Sequence, residues 1–225
     1  MAIPPQSEEQ RASPRGPSGS SFVPGLVHEL RNFIFGISGS LDAMGARFAG
    51  LEELAKYRAV MGDSLGRLNA FLGEVEDYGD PRAADWAEAD LEVLLREAAE
   101  PHRAGLRLAV QGPLPPILGD GASLRMAFGR LIGVVLGQAG AAPVTLRAAA
   151  DAQGIAGCLD SPGLELPGVD LARLFEPFYF RASGFGRLAL PVARRVIEHH
   201  GGRLGAVRGP GGGVRLDFTL PARHS

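Results

Sequence analysis

VPGLVHELRNFIFGISGSLDAM, residues 23–44, places Val23, Val27, Leu30, Ile34, Ile37, Leu41 and Met44 at alternating spacings of four and three. That is the apolar seam of a heptad repeat, and it predicts one long helix with a continuous stripe. LEELAKYRAVMGDSLGRLNAFLGEV, residues 51–75, continues in the same register with Leu51, Leu54, Met61, Leu65, Leu68, Leu72 and Val75; Arg58 fills the one apolar gap. Only a short stretch around Phe48-Ala49-Gly50 separates the seams, so the two helices must fold back as an antiparallel hairpin. One hairpin covers half of its own seam, and a four-helix bundle made by two chains through residues 22–79 is the expected way to cover the rest. Tyr78-Gly79-Asp80-Pro81 ends the second helix, since glycine and proline both stop it.

Outward from the hairpin the composition changes twice. Residues 1–20 are rich in Pro, Ser, Gly, Gln and Arg and lack apolar residues to offset ordering entropy, so a disordered tail is expected there. The hairpin then occupies 21–80, a hinge 81–87 and a second domain 88–222. In that second domain Leu91 to Ala99, Ser123 to Leu136 and Leu188 to His200 read as helices. Leu106 to Val110, Val144 to Ala149, Ile155 to Asp160, Arg203 to Val207 and Val214 to Leu220 read as strands, the last two joined around Gly209-Pro210-Gly211-Gly212-Gly213. The expected class is α+β: a dimeric helical bundle followed by a two-layer α/β sandwich.

Composition narrows the function classes. Hydrophobic residues form 45% of the 225, enough for a core, while a net charge of -2 gives no basic field for nucleic acid or an acidic membrane. No apolar run approaches the roughly 18 residues that span a bilayer, and the N-terminal stretch lacks the apolar segment of a secretory signal. A soluble, cytoplasmic chain is expected. Cys158 is the only cysteine, which excludes an internal disulfide and a structural zinc site; a buried place in a strand is expected for it. His199 and His200 read as a helix end favoured by the dipole, not as a metal pair, and Trp86 as an anchor for the hinge.

His28 is the residue with a chemical reading. It follows Val27 in the seam and is therefore turned about 100° off the core stripe. Asn32 lies one turn on along the same face, and Glu29 is adjacent. An exposed imidazole beside a carboxylate suits nucleophilic phosphoryl transfer, one ring nitrogen attacking while a proton on the other is held. Leu26-Val27-His28-Glu29-Leu30-Arg31-Asn32 closely resembles the phosphoacceptor box of sensor histidine kinases. The likeness continues at Phe35-Gly36-Ile37-Ser38, Arg67-Leu68-Asn69 and Asp77-Tyr78-Gly79. Phe33 stands where the family usually has a helix-kinking proline.

The second half resembles the ATP-binding domain that follows this hairpin in the same family. Leu174-Phe175-Glu176-Pro177-Phe178-Tyr179, the 193–202 helix and turn, and Phe218-Thr219-Leu220-Pro221 carry that resemblance. It implies a nucleotide site, and the boxes that should form it are altered. The family's two asparagines, the second of which holds magnesium, correspond to Arg130 and Val134, and no asparagine occurs after Asn69. The first glycine box corresponds to Asp160-Ser161-Pro162-Gly163-Leu164, leaving Asp160 for an adenine amino group and Gly163 for close backbone approach. The second corresponds to 185–190 with Gly186 remaining, and the lid lysine maps near Ala182. Arg181 and Arg187 read as exposed lid residues.

The resemblance therefore implies a dimeric signalling protein in which His28, Glu29 and Asn32 act on phosphate. Its partner is the receiver domain of a response regulator, and ATP-dependent autokinase activity is impaired. Dimeric histidine phosphotransferases with a kinase-like second domain fit this pattern. ATP and magnesium are its cofactors only if the kinase site still works. An active ATP-dependent kinase and a non-catalytic pseudokinase that regulates a partner kinase remain as alternatives.

Overall fold

The computed structural model describes residues 22–79, 85–180, 188–209 and 213–223. The expected tail at 1–20 and the turn tip at 210–212 lie outside the described residues, as does most of the expected hinge. Helices α1 (Phe22–Arg47) and α2 (Glu52–Gly79) form the hairpin, as the two seams require. Within it Val27, Ile34 and Leu72 are buried and gather Val23, Leu65 and Val75 around them. The other half of the α1 seam stays open: Leu30 is 36% exposed, Ile37 50% and Met44 42%. Val27 and Ile34 are a heptad apart, and so are Leu30, Ile37 and Met44. The Val27–Ile34 position of the heptad faces α2; beyond Val23, the other position is left largely exposed among the described residues.

The second domain begins with β1 (Ala87–Ala89) and α3 (Leu91–Ala99) and continues through β2 (Leu106–Gln111), β3 (Ile117–Gly119) and α4 (Gly121–Ala139). It ends with β4 (Val144–Asp151), β5 (Gly154–Asp160), α5 (Ala189–His199), β6 (Arg203–Arg208) and β7 (Val214–Pro221). Five strands pair in the order β2-β4-β5-β7-β6, with β2 parallel to β4 and the rest antiparallel. Val144, Leu146 and Ala148 of β4, and Val214, Leu216, Phe218 and Leu220 of β7, point into the core. α3, α4 and α5 cover that face, with Phe128 edge-on to Phe218 at 4.9 Å. Asp90 and Asp120 cap α3 and α4, each carboxylate accepting two backbone N–H groups of the first turn. This is the expected α+β architecture. It adds a second, two-stranded sheet, β1 with β3, which three-residue strands are too short to announce by periodicity.

His200 departs from the expected helix-end cation. It is only 5% exposed, its Nε2 accepts the Asp120 N–H at 2.9 Å, and its Nδ1 donates to the Val196 carbonyl at 2.7 Å. Trp86 stacks on it with centroids 5.0 Å apart, and Gly119 passes so close that a Cβ there would lie 2.3 Å from the ring. Both ring nitrogens are committed to a neutral imidazole that joins α4, α5 and the chain leading into β1. Burial pushes its pKa below 6.5, with the nearby His199 in the same direction, against the opposing pull of the Val196 carbonyl and Asp120. The unfolded chain thus takes a proton that the fold refuses. Stability present above about pH 6.5 is expected to be lost as pH falls from there through the lowered folded value. Urea midpoints between about pH 7.5 and pH 5.5 should show the fall, and His200→Gln should flatten it. An unchanged slope in that variant would place the titration elsewhere.

Candidate functional site

α1 runs unbroken past His28, the expected consequence of Phe33 in place of a helix-kinking proline. His28, Glu29 and Asn32 are all exposed. The Asn32 amide nitrogen lies 3.4 Å from His28 Nδ1 and also donates to Glu29 Oε2 at 3.4 Å. The three expected residues are therefore together, but Glu29 reaches the imidazole through Asn32, not directly. The Asn32 amide nitrogen can only donate, so Nδ1 accepts in this arrangement, and Nε2 is the ring nitrogen presented outward. Arg31 bridges to Glu76 of α2 at 2.8 Å and ties this part of α1 to the end of α2.

The nucleotide residues are placed differently. Val134 is buried in α4, where it offers no oxygen to a metal. Leu164 and Leu166, following Gly163, are buried against Val134, Leu174, Leu190 and Leu216 and leave a cavity of only about 10 Å³. That is at the lower limit for one water molecule. The turn carrying Leu164 is held down by the Val214 N–H, which donates to the Leu164 carbonyl at 2.7 Å. A Cβ on Gly163 would stand 2.5 Å from that of Ala142 and 2.8 Å from the Ala139 carbonyl oxygen, and its N–H already points to Ser161 Oγ at 3.3 Å. Gly163 thus serves packing of this turn onto the end of α4.

Asp160 pairs with Arg147 of β4 at 2.7 Å on the outer face of the sheet, beside Cys158 and the Arg215–Asp217 pair. Alternation along β5 explains this: Ile155 and Leu159 point inward, so Cys158 and Asp160 point out. Cys158 is consequently half-buried instead of a core residue. Gly186, Ala182, Arg181 and Arg187 lie outside the described residues. Among the described residues no cluster of three or more His, Cys, Asp or Glu could hold a metal, and no helix is long and apolar enough to cross a membrane. At the position where the resemblance implies a magnesium ligand, Val134 supplies no oxygen.

Arg130, the other residue at an asparagine position, reaches out of the second domain and pairs with Asp77 of α2 at 2.6 Å. This contact was not foreseen from the sequence. The one available signal is an arginine set between apolar residues of α4, two after Phe128 and just before Leu131.

Residues 119–224 match the family described as Histidine kinase-, DNA gyrase B-, and HSP90-like ATPase. The chain is 26% identical over 208 residues to the sensor histidine kinase ZraS of Escherichia coli O157:H7, covering 88% of this chain and 45% of that protein. It is 28% identical over 247 residues to the non-motile and phage-resistance protein of Caulobacter vibrioides, covering 98% of this chain and 29% of the relative. The chain thus spans less than half the length of these relatives. Among solved structures, full-length ShkA in complex with AMPPNP superposes with a TM-score of 0.75 at 24% identity, over 92% of this chain and 47% of ShkA. Histidine kinase ThkA in complex with the response regulator protein TrrA gives 0.61 at 21%, over 90% of this chain and 61% of ThkA. These structures share the fold, hairpin included. The ATPase match over 119–224 and the relatives aligned through both halves support a two-component sensor histidine kinase with an ATPase domain of this type.

Proposed function

We propose that this chain is a histidine phosphotransferase: His28 exchanges phosphoryl groups with the aspartate of a response-regulator receiver domain, or assists hydrolysis of the aspartyl phosphate. The observation that carries this reading is the contrast between its two sites. The His28–Asn32–Glu29 group is exposed and assembled, whereas Leu164 and Leu166 fill the space beside Val134. In the forward step the His28 Nε2 lone pair attacks phosphorus, an N–P bond forms, and the acyl P–O bond breaks to release aspartate. Attack through Nε2 requires the ring proton to sit on Nδ1, with the Asn32 amide turned so that its Oδ1 accepts that proton; the proton stays on the ring, and the positive charge that develops faces Asn32, with Glu29 behind it. The receiver brings its own metal, so no metal is needed from this chain.

The domains divide as read above, with 21–80 supplying the phosphoacceptor and 88–222 a protein surface. Residues 22–79 dimerise, because the open seam of Leu30, Ile37 and Met44 on α1 is continued by exposed Met61 and Leu68 on α2. Leu30→Glu with Leu68→Glu should convert the protein from dimer to monomer in sedimentation at micromolar concentration. A wild-type chain that sediments as a monomer would overturn this.

The test of function is incubation with a phosphorylated receiver in the absence of ATP, where label should move to His28. Labelling by ATP and magnesium instead would favour the ATP-dependent kinase, the reading that the AMPPNP-bound ShkA structure supports. Labelling by neither would favour a non-catalytic regulator of a partner kinase.

A further inference from the structure

We infer that the residue at the first asparagine position has become a fastener: Arg130, together with Arg195, latches the second domain onto the last turns of α2. Arg130 leaves α4 and meets Asp77 at 2.6 Å, with the two side chains only 17% and 20% exposed. A charge-assisted bond this short, largely removed from solvent, is screened far less than a surface pair.

Two further contacts grip the same segment from other elements. Arg195, on the exposed side of α5, donates to the backbone carbonyl of Tyr78, and its guanidinium stands over the Tyr78 ring at 5.3 Å. That carbonyl belongs to the last turn of α2, where acceptors lack helical partners and a cation is favoured. Phe178, in the loop after Leu174, approaches Phe71 with ring centroids 6.3 Å apart. It does so from a backbone φ of 65°, a costly conformation for a phenylalanine that its surroundings must maintain.

Phe71, Val75 and Tyr78 follow each other at helical spacing and pack against the core of the second domain, while Leu72 faces α1. α2 is therefore shared between its two neighbours, with Val75 touching both. A domain that carries nucleotide phosphate to a histidine on the hairpin has to move relative to it. Two arginines and an aromatic contact on one helix end oppose that movement. This inference is independent of whether His28 exchanges phosphate, because it concerns only how the two domains are held.

The test is a distance measurement on the full chain. Spin labels at Asp63→Cys on α2 and Gln153→Cys in the β4–β5 turn, in a Cys158→Ser background diluted with unlabelled protein, report the relative position of the domains. The parent should give one narrow distance distribution. Arg130→Ala with Arg195→Ala should raise the population outside it by about tenfold or more, the factor that about 1.4 kcal/mol supplies. Circular dichroism should show unchanged secondary structure. Asp77→Arg with Arg130→Asp, which reverses the pair, should narrow the distribution again. The exposed Arg195→Ala alone should widen it partially without affecting folding. A parent that is already broad, a double alanine variant as narrow as the parent, or a reversed pair that stays broad would each overturn the latch.

Discussion

His28→Ala is expected to abolish phosphate exchange with the receiver domain that wild type serves, and to leave the protein folded. The second half of that expectation follows from position. His28 is exposed on α1, off the stripe of Val27 and Ile34 that packs against Leu72, so its removal opens no cavity. The first half follows from chemistry, since no other side chain among the described residues presents an exposed nucleophile within this assembled group. Glu29→Ala should slow exchange by roughly 10²–10⁴-fold, the usual contribution of a residue that handles the proton. Because Asn32 lies between Glu29 and the ring, Asn32→Ala should slow transfer as well, and should affect hydrolysis of the receiver phosphate more. The measurement is label exchange with candidate regulators, comparing wild type with the three variants. Normal exchange by His28→Ala would make the histidine a relic and leave the non-catalytic reading.

Val134→Asn, which restores the side chain expected of a magnesium ligand, should fail to restore nucleotide binding and should destabilise the domain by about 2–4 kcal/mol. Val134 is buried among apolar side chains, and the neighbouring cavity among the described residues measures only about 10 Å³. An amide placed there is desolvated without a partner, which costs about 1–3 kcal/mol, and part of the valine burial is lost as well. Chemical denaturation should show the loss, and calorimetry with ATP and magnesium should show no tight binding in wild type or variant. A stable variant that gains magnesium-dependent binding would mean that Leu164 and Leu166 yield readily. It would promote the ATP-dependent kinase reading.

Much of this architecture was legible before any coordinates. The spacing of Val27, Leu30, Ile34 and Leu41 marked the hairpin, and alternation along 144–149 and 214–220 marked two strands of the sheet. The grouping of His28, Glu29 and Asn32 was also legible, because three residues within five positions of one helix must share its surface. The altered boxes could be read as missing ligands, although not as the apolar packing of Leu164 and Leu166 beside Val134.

Residue order alone established the hairpin, the α+β class and the grouping of His28, Glu29 and Asn32, since each depends on a local period or on neighbours within one helical turn. Tertiary packing settled which heptad position faces α2, that Asp160 turns outward to Arg147, and that Leu164 and Leu166 close the space beside Val134. It also made His200 a neutral pin and gave Arg130 to Asp77, 53 residues away, and Arg195 to Tyr78, 117 residues away. Such contacts join elements that meet only after the chain has folded. No periodicity in the sequence encodes them, because the distance between their partners along the chain has no relation to the few ångströms that separate them in space.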